Sequence, residues 1–431
     1  MTTMKAKLST ALTLLAVAGA TPGAEQSYGG DLMTRSTLTG DWGGWRDDLS
    51  KKGVTLDVDL VQTGQGVAAG GRDSAWEYNG EALYDFNVDF GKLGLWPGGF
   101  LKIFAESQFG PGVNLNTGAI AAVNTNALFP VPNDEVTTLS SVQFTQFFTD
   151  WFGVFGGKLA TITDTQGDTN EFAGGRGQTQ FMNQNLAFNP VMIQTIPYST
   201  LGGGLVFLLP EKRGSVTFSV LGPSGTAEKF GDAFDDGQAY AMETRIKTDF
   251  FGLPGHQLLG VTGSTKEFTS LNQDPRLFLA LIAPGLFPLE QQSGSWSVYY
   301  NFDQYVYTEP GPEDRGVGLF GRLGFADDDT NPVERFYSIG VGGKGVIPGR
   351  GRDSFGAAFY YVELTDQFQE GPILRRLLDG RLLDDSYGGE IYYNFELTPW
   401  LHFTPDLQVF SPSLDFVDTD VVTGFRLVAN F

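Results

Sequence analysis

From Val54 onward, apolar and polar positions alternate with a period of two. Val54, Leu56, Val58 and Leu60 share one face, and Thr55, Asp57 and Asp59 share the other. Ala82, Tyr84, Phe86, Val88 and Phe90 alternate with Glu81, Asp85, Asn87 and Asp89. Trp296, Val298, Tyr300 and Phe302 alternate with Ser295, Ser297, Asn301 and Asp303, and Ile391, Tyr393 and Phe395 with Glu390, Asn394 and Glu396. Successive strand side chains point to opposite faces, so each run predicts a strand with one apolar and one charged face. About sixteen such segments follow one another, each of roughly ten residues, the length of a tilted strand that crosses a bilayer. Helical periodicity is confined to Thr39–Gly53, where turn glycines precede Trp45 and Leu49 and Gly53 closes the helix.

The links between strands alternate in length. Long ones fall near 67–78, 110–137, 161–199, 223–236, 267–293 and 365–386, with shorter members at 327–333 and 412–420. Tight ones such as Thr149-Asp150, Pro210–Arg213, Phe251–Pro254 and Leu397-Thr398-Pro399 lie between them. In an antiparallel barrel with both ends on one side, every second link opens at the same rim. Outer-membrane barrels have long external loops and short periplasmic turns. A soluble sandwich or propeller has no reason to sort loop length by parity. The expected fold class is therefore all-β: one transmembrane antiparallel β-barrel of about sixteen strands, residues 54–431, after a segment 25–53 that carries a short helix.

Residues 1–24 read as a secretory signal peptide. Lys5 and Lys7 precede the apolar run Leu8–Ala18, and small residues follow at Ala18-Gly19-Ala20 and Gly23-Ala24. No later stretch approaches the ~18 consecutive apolar residues of a transmembrane helix, so an exported chain of this kind meets a membrane as a barrel. The last run, Val421, Thr423, Phe425, Leu427, Ala429 and Phe431, ends in an aromatic. Such strands are recognised by barrel-assembly machinery, which joins outer-membrane lipid and lipopolysaccharide as an expected partner.

Composition narrows the chemistry. Fifty Asp+Glu against 28 Lys+Arg give a net charge of −22, which argues against nucleic acid as a partner. With no cysteine there is no disulfide framework, thiolate site or cysteine nucleophile. His256 and His402 show no metal-ligand spacing, and no nucleophile elbow or HExxH motif is present. No enzyme and no cofactor is expected. Asp327-Asp328-Asp329 reads as a solvated loop tip before a calcium site, Asp384-Asp385 as a surface loop, and Gly342-Gly343 as a strand kink.

If the apolar faces meet lipid, the alternate faces line a lumen. The candidate lining residues are Glu81, Asp85, Lys102, Glu106, Glu243, Arg245, Arg322, Glu390 and Arg426. Charges of both signs recur, and a mixed wall orients dipolar solutes and offers paired hydrogen bonds. Arg and Glu beside aromatics suit sugars, whose hydroxyls donate and accept while their C–H faces stack on rings. Phe104, Phe320, Phe359 and Tyr361 are placed on the charged faces, as stacking surfaces or as contacts for an inserted loop. The link 161–199 is too long for a plain connection. Its polar half carries Arg176, a further candidate lining residue, and its second half, Phe188 to Tyr198, is apolar and fixed by prolines. It is expected to fold inward and narrow the pore.

Several blocks resemble the OprB-type carbohydrate-selective porins of Gram-negative outer membranes. They are Leu38-Thr39-Gly40-Asp41-Trp42-Gly43-Gly44 with Arg46 and Leu49, then Gly318-Leu319-Phe320-Gly321-Arg322-Leu323-Gly324, Glu390-Ile391-Tyr392-Tyr393, Pro405-Asp406-Leu407-Gln408 and Gly424-Phe425-Arg426. The resemblance implies a sixteen-stranded channel for facilitated diffusion of sugars, with a constriction lined by arginine and acids; the sequence leaves monomer and homotrimer both open. Arg322 and Glu390 are the best matches to that role. Two alternatives stand beside it: a general or cation-leaning pore, and an exported all-β carbohydrate-active enzyme or lectin. The location of the excess acids separates the first, and a paired acid site on a water-soluble surface would mark the second.

Overall fold

The computed structural model describes residues 28–132, 134–162, 170–174, 178–273, 289–310, 315–370 and 383–431. The expected signal peptide and Arg176 lie outside the described residues. The first eight strands are β1 (Val54–Ala69), β2 (Trp76–Asp89), β3 (Gly99–Phe109), β4 (Val136–Phe147), β5 (Phe152–Ala160), β6 (Ser199–Leu208), β7 (Gly214–Leu221) and β8 (Ala239–Phe250). The rest are β9 (Leu253–Thr269), β10 (Gln291–Thr308), β11 (Gly316–Ala326), β12 (Val333–Lys344), β13 (Ser354–Leu364), β14 (Ser386–Thr398), β15 (Leu401–Ser411) and β16 (Asp420–Asn430). Each pairs antiparallel with its sequence neighbours and β1 pairs with β16, so the sheet closes. Closure leaves no edge and pairs the backbone groups that lipid cannot satisfy. Among the described residues no helix is long and apolar enough to cross a membrane.

Alternation decides which side chains face out. Tyr240, Met242, Leu259, Val261, Trp296, Ile339 and Ile391 are exposed on the outer wall, whereas Glu81, Glu106, Glu243, Arg322, Glu390 and Arg426 are buried on the inner one. The placement of Phe359 and Tyr361 on the inner face is incorrect. Register sets Ala358 opposite the inward Glu390, so Tyr360 points in and is buried, while Phe359 is 48% exposed outside. β13 carries apolar residues on both faces, so its composition holds no phase. Phe104 and Phe320 do point inward and are buried.

The segment before β1 clasps the seam where the barrel closes. Its helix α1 (Trp45–Lys51) follows the glycine turn and buries Arg46. The Arg46 guanidinium donates to Thr37 Oγ1 (3.0 Å), the Leu56 carbonyl (2.7 Å), Asp57 Oδ1 (3.0 Å) and the backbone oxygen of Phe431 (2.8 Å). The Tyr28 ring covers it at 4.0 Å. Leu38 N–H also donates to the Asn430 carbonyl, and Trp400 Nε1 to Leu32. One buried cation therefore ties both ends of the sheet together.

Candidate functional site

The interior is not an open tube. The β5–β6 loop turns inward and packs Phe172, Phe181, Leu186, Val191 and Met192 against inward side chains of β9–β16. The β3–β4 loop enters as well, contributing Val113 and Val123 to the same core. Its length is visible in the sequence; its inward path is not. Glycines of the wall make the seats. A Cβ at Gly318 would lie 2.2 Å from the Phe172 ring, and one at Gly342 would lie 2.6 Å from Phe172 Cβ. Gly342 is thus a socket for an inserted ring, which corrects its reading as a strand kink.

The two residues singled out by family likeness hold this loop by its backbone. Within it, α2 (Gln184–Ala187) begins at Asn183, whose side chain accepts the Asn185 N–H as an N-cap. Glu390 accepts the N–H groups of Met182 (2.7 Å) and Asn183 (2.8 Å) just ahead of that turn. Arg322 donates to the carbonyls of Leu186 (2.7 Å) and Ala187 (3.3 Å) at its far end, and to Ala173 (2.6 Å). A carboxylate at the amide end and a guanidinium at the carbonyl end match the polarity of the turn. Both side chains are at most 1% exposed. Arg426, also buried, donates to the Gln180 carbonyl and interacts electrostatically with Asp406 and Glu390. Glu106 accepts the Tyr198 hydroxyl at 2.6–2.7 Å and so fixes the loop where it returns to the wall. Glu81 is fully buried on β2.

A different part of the wall keeps its charges in reach of the lumen. Asp85 and Lys102 form an ion pair at 3.0 Å, with 32% and 15% of their side chains exposed. On β8, Arg245 is 23% exposed and pairs at 3.2 Å with Glu243, which also accepts the Tyr299 hydroxyl. Tyr198 is half-buried and stacks on Phe129 of the β3–β4 loop, 4.2 Å between centroids. These groups together present donors, acceptors and a ring.

One polar cluster joins residues far apart in the chain. His256 Nδ1 lies 2.8 Å from Asp303 Oδ1, and Asp303 Oδ2 accepts the Glu171 N–H of the inserted loop at 3.2 Å. The Glu171 carboxyl, which reaches the lumen, accepts the Tyr305 hydroxyl. Desolvation within the barrel, then the Asp303 charge, push its pKa up. Nothing in the sequence brings β9, β10 and residue 171 together. In the β11–β12 turn, the ligand atoms of Asp327, Asp328 and Asp329 lie within 4.8 Å of one another.

Comparison with known proteins agrees with this architecture. The profile of the carbohydrate-selective porin, OprB family, matches residues 73–431. Porin B of Pseudomonas aeruginosa is 27% identical over 191 residues, an alignment that spans 42% of this chain and 42% of that protein. The high-pH structure of Pseudomonas putida OprB superposes with a TM-score of 0.81 at 22% identity, over 93% of this chain and 100% of that one. Its low-pH structure gives a TM-score of 0.56 at 16% identity, over 93% and 99%. The chain belongs to the OprB family of carbohydrate-selective porins.

Proposed function

We propose that the chain is an outer-membrane channel for passive diffusion of sugars, preferring monosaccharides like glucose. The observation that carries the reading is a lumen that keeps the Asp85–Lys102 ion pair in reach of solute, with Arg245 held beside the buried Glu243, in a barrel of this family. The Asp85–Lys102 pair offers a hydroxyl both an acceptor and a donor, the partly exposed Arg245 adds a further donor, and the Tyr198–Phe129 stack supplies an apolar surface. Arg322, Glu390, Glu106 and Arg426 hold the loop that narrows the passage, and so act on solute through its position. Family and fold favour transport over catalysis. The orientation follows from loop length, with the long links outside and the short turns in the periplasm.

Liposome swelling with purified protein tests this, comparing glucose, a disaccharide of similar osmolality and a neutral amino acid. Faster swelling in glucose than its size predicts is the expected result. Permeation graded by size alone would favour the general pore. The net charge of −22 supports a cation-leaning version of that alternative, which a reversal potential in a salt gradient would detect.

A further inference from the structure

The LTGDWGG turn does more than lead into α1. Trp42 sits at φ 53°, a left-handed backbone that bulky residues rarely adopt, between Gly40, Gly43 and Gly44, which are left-handed too. Trp42 Nε1 donates to Thr39 Oγ1 at 3.1 Å, and the buried Arg46 guanidinium lies 5.0 Å from the indole centroid. So held, the indole is 44% exposed and overhangs the outer wall. Beneath it the wall is concave, a groove of ≈ 390 Å³. Leu56, Val58 and Leu60 of β1 line its length, Ala82 and Tyr84 of β2 one side, and Phe431 the other. These β1 and β2 residues alternate with the inward Asp57, Asp59 and Glu81, so the groove opens on the lipid-facing side and continues that surface. At the strand rise, Leu56 to Leu60 spans about 13 Å along the strand.

The rim beside the groove is amphipathic. Trp45 and Leu49 are exposed on one face of α1, next to the buried Arg46, and Lys52 follows one turn later. Lys51, Lys52 and Lys92 are all exposed, and Gly53 packs directly against Lys92. The nearby Asp89 carboxylate is taken up by the N–H groups of Gly91 and Lys92. Apolar groove, interfacial tryptophans and adjacent ammonium groups together match the tail, interface and phosphate of one lipid.

We propose that this turn builds a binding site for a phospholipid of the periplasmic leaflet, with an acyl chain in the groove under Trp42 and the phosphate beside Lys52 and Lys92. The site rests on the outer wall facing lipid and is independent of what passes through the lumen. The test uses the intact protein in detergent micelles doped with phosphatidylethanolamine carrying brominated acyl chains, which quench indole fluorescence on contact. Trp42 and Trp296 signals are isolated as differences from Trp42→Phe and Trp296→Phe, Trp296 reporting the open outer wall. Trp42 quenching should saturate at a lipid mole fraction about tenfold below that for Trp296. Ala82→Phe, which fills the groove from the outer face, should abolish that early phase and leave Trp296 quenching unchanged. Parallel quenching of Trp42 and Trp296 in the unaltered protein would overturn the proposal. So would an unquenched Trp42 in a cross-linked dimer, which would assign the groove to a second copy.

Discussion

Arg322 and Lys102 both stand on inward faces of strands, yet they live in different environments. Arg322 is fully buried and spends its guanidinium on three carbonyls of the inserted loop. Lys102 pairs with Asp85 while both remain in reach of solvent. The inner wall is thus divided between a region that grips a loop and a region whose charges stay in reach of solvent. Removing a buried donor leaves unsatisfied carbonyls, whereas removing half of a partly exposed ion pair leaves a group that water can serve.

Arg322→Ala should break that division most severely. Loss of three buried hydrogen bonds is expected to lower stability on the order of 3 kcal/mol and to free the loop, read as a lower Tm with a raised single-channel conductance. Arg46→Ala is the control, since Arg46 is as buried but grips the β1–β16 seam. It should lower stability by about 2 kcal/mol and reduce the yield of closed barrel, with conductance per channel unchanged. A wider pore in that variant would contradict the assignment. Lys102→Ala is expected to change stability by less than about 1 kcal/mol while weakening glucose-dependent current block.

The smallest effect concerns pH. Because the folded-state pKa of Glu171 is raised, its ionised form weakens the fold above that pKa, and the penalty fades as pH falls through it towards the ordinary glutamate value. Glu171→Gln should therefore raise Tm at neutral pH and lose that advantage in acid. A Tm difference independent of pH would remove Glu171 from the loop's electrostatics.

β10 and β14 are legible because their two faces differ sharply in polarity, and a period of two then fixes both strand and facing. β13 is not, because Phe355, Phe359, Tyr360 and Tyr361 distribute rings on both sides and only register against Glu390 resolves them. The inward path of the β3–β4 loop depends on Val113, Val123 and Thr125 meeting residues far along the chain, as in the Thr125 N–H bond to the Met182 carbonyl. Local pattern carries no such pairing. Arg322 and Glu390 are readable as inward charges, but their partners are backbone groups of the loop, which no side-chain chemistry in the sequence announces. Gly318 and Gly342 look like flexibility and are steric room for Phe172.

On the proposed function, the loop gripped by Arg322 sets the width of the passage while Asp85–Lys102 contacts the solute. The most direct test is glucose titration of single-channel current in planar bilayers for the unaltered protein, Arg322→Ala and Lys102→Ala. Expected are saturable block in the unaltered protein, a larger current with little block in Arg322→Ala, and an unchanged current with weakened block in Lys102→Ala. Unaltered conductance and block in Arg322→Ala would contradict this reading.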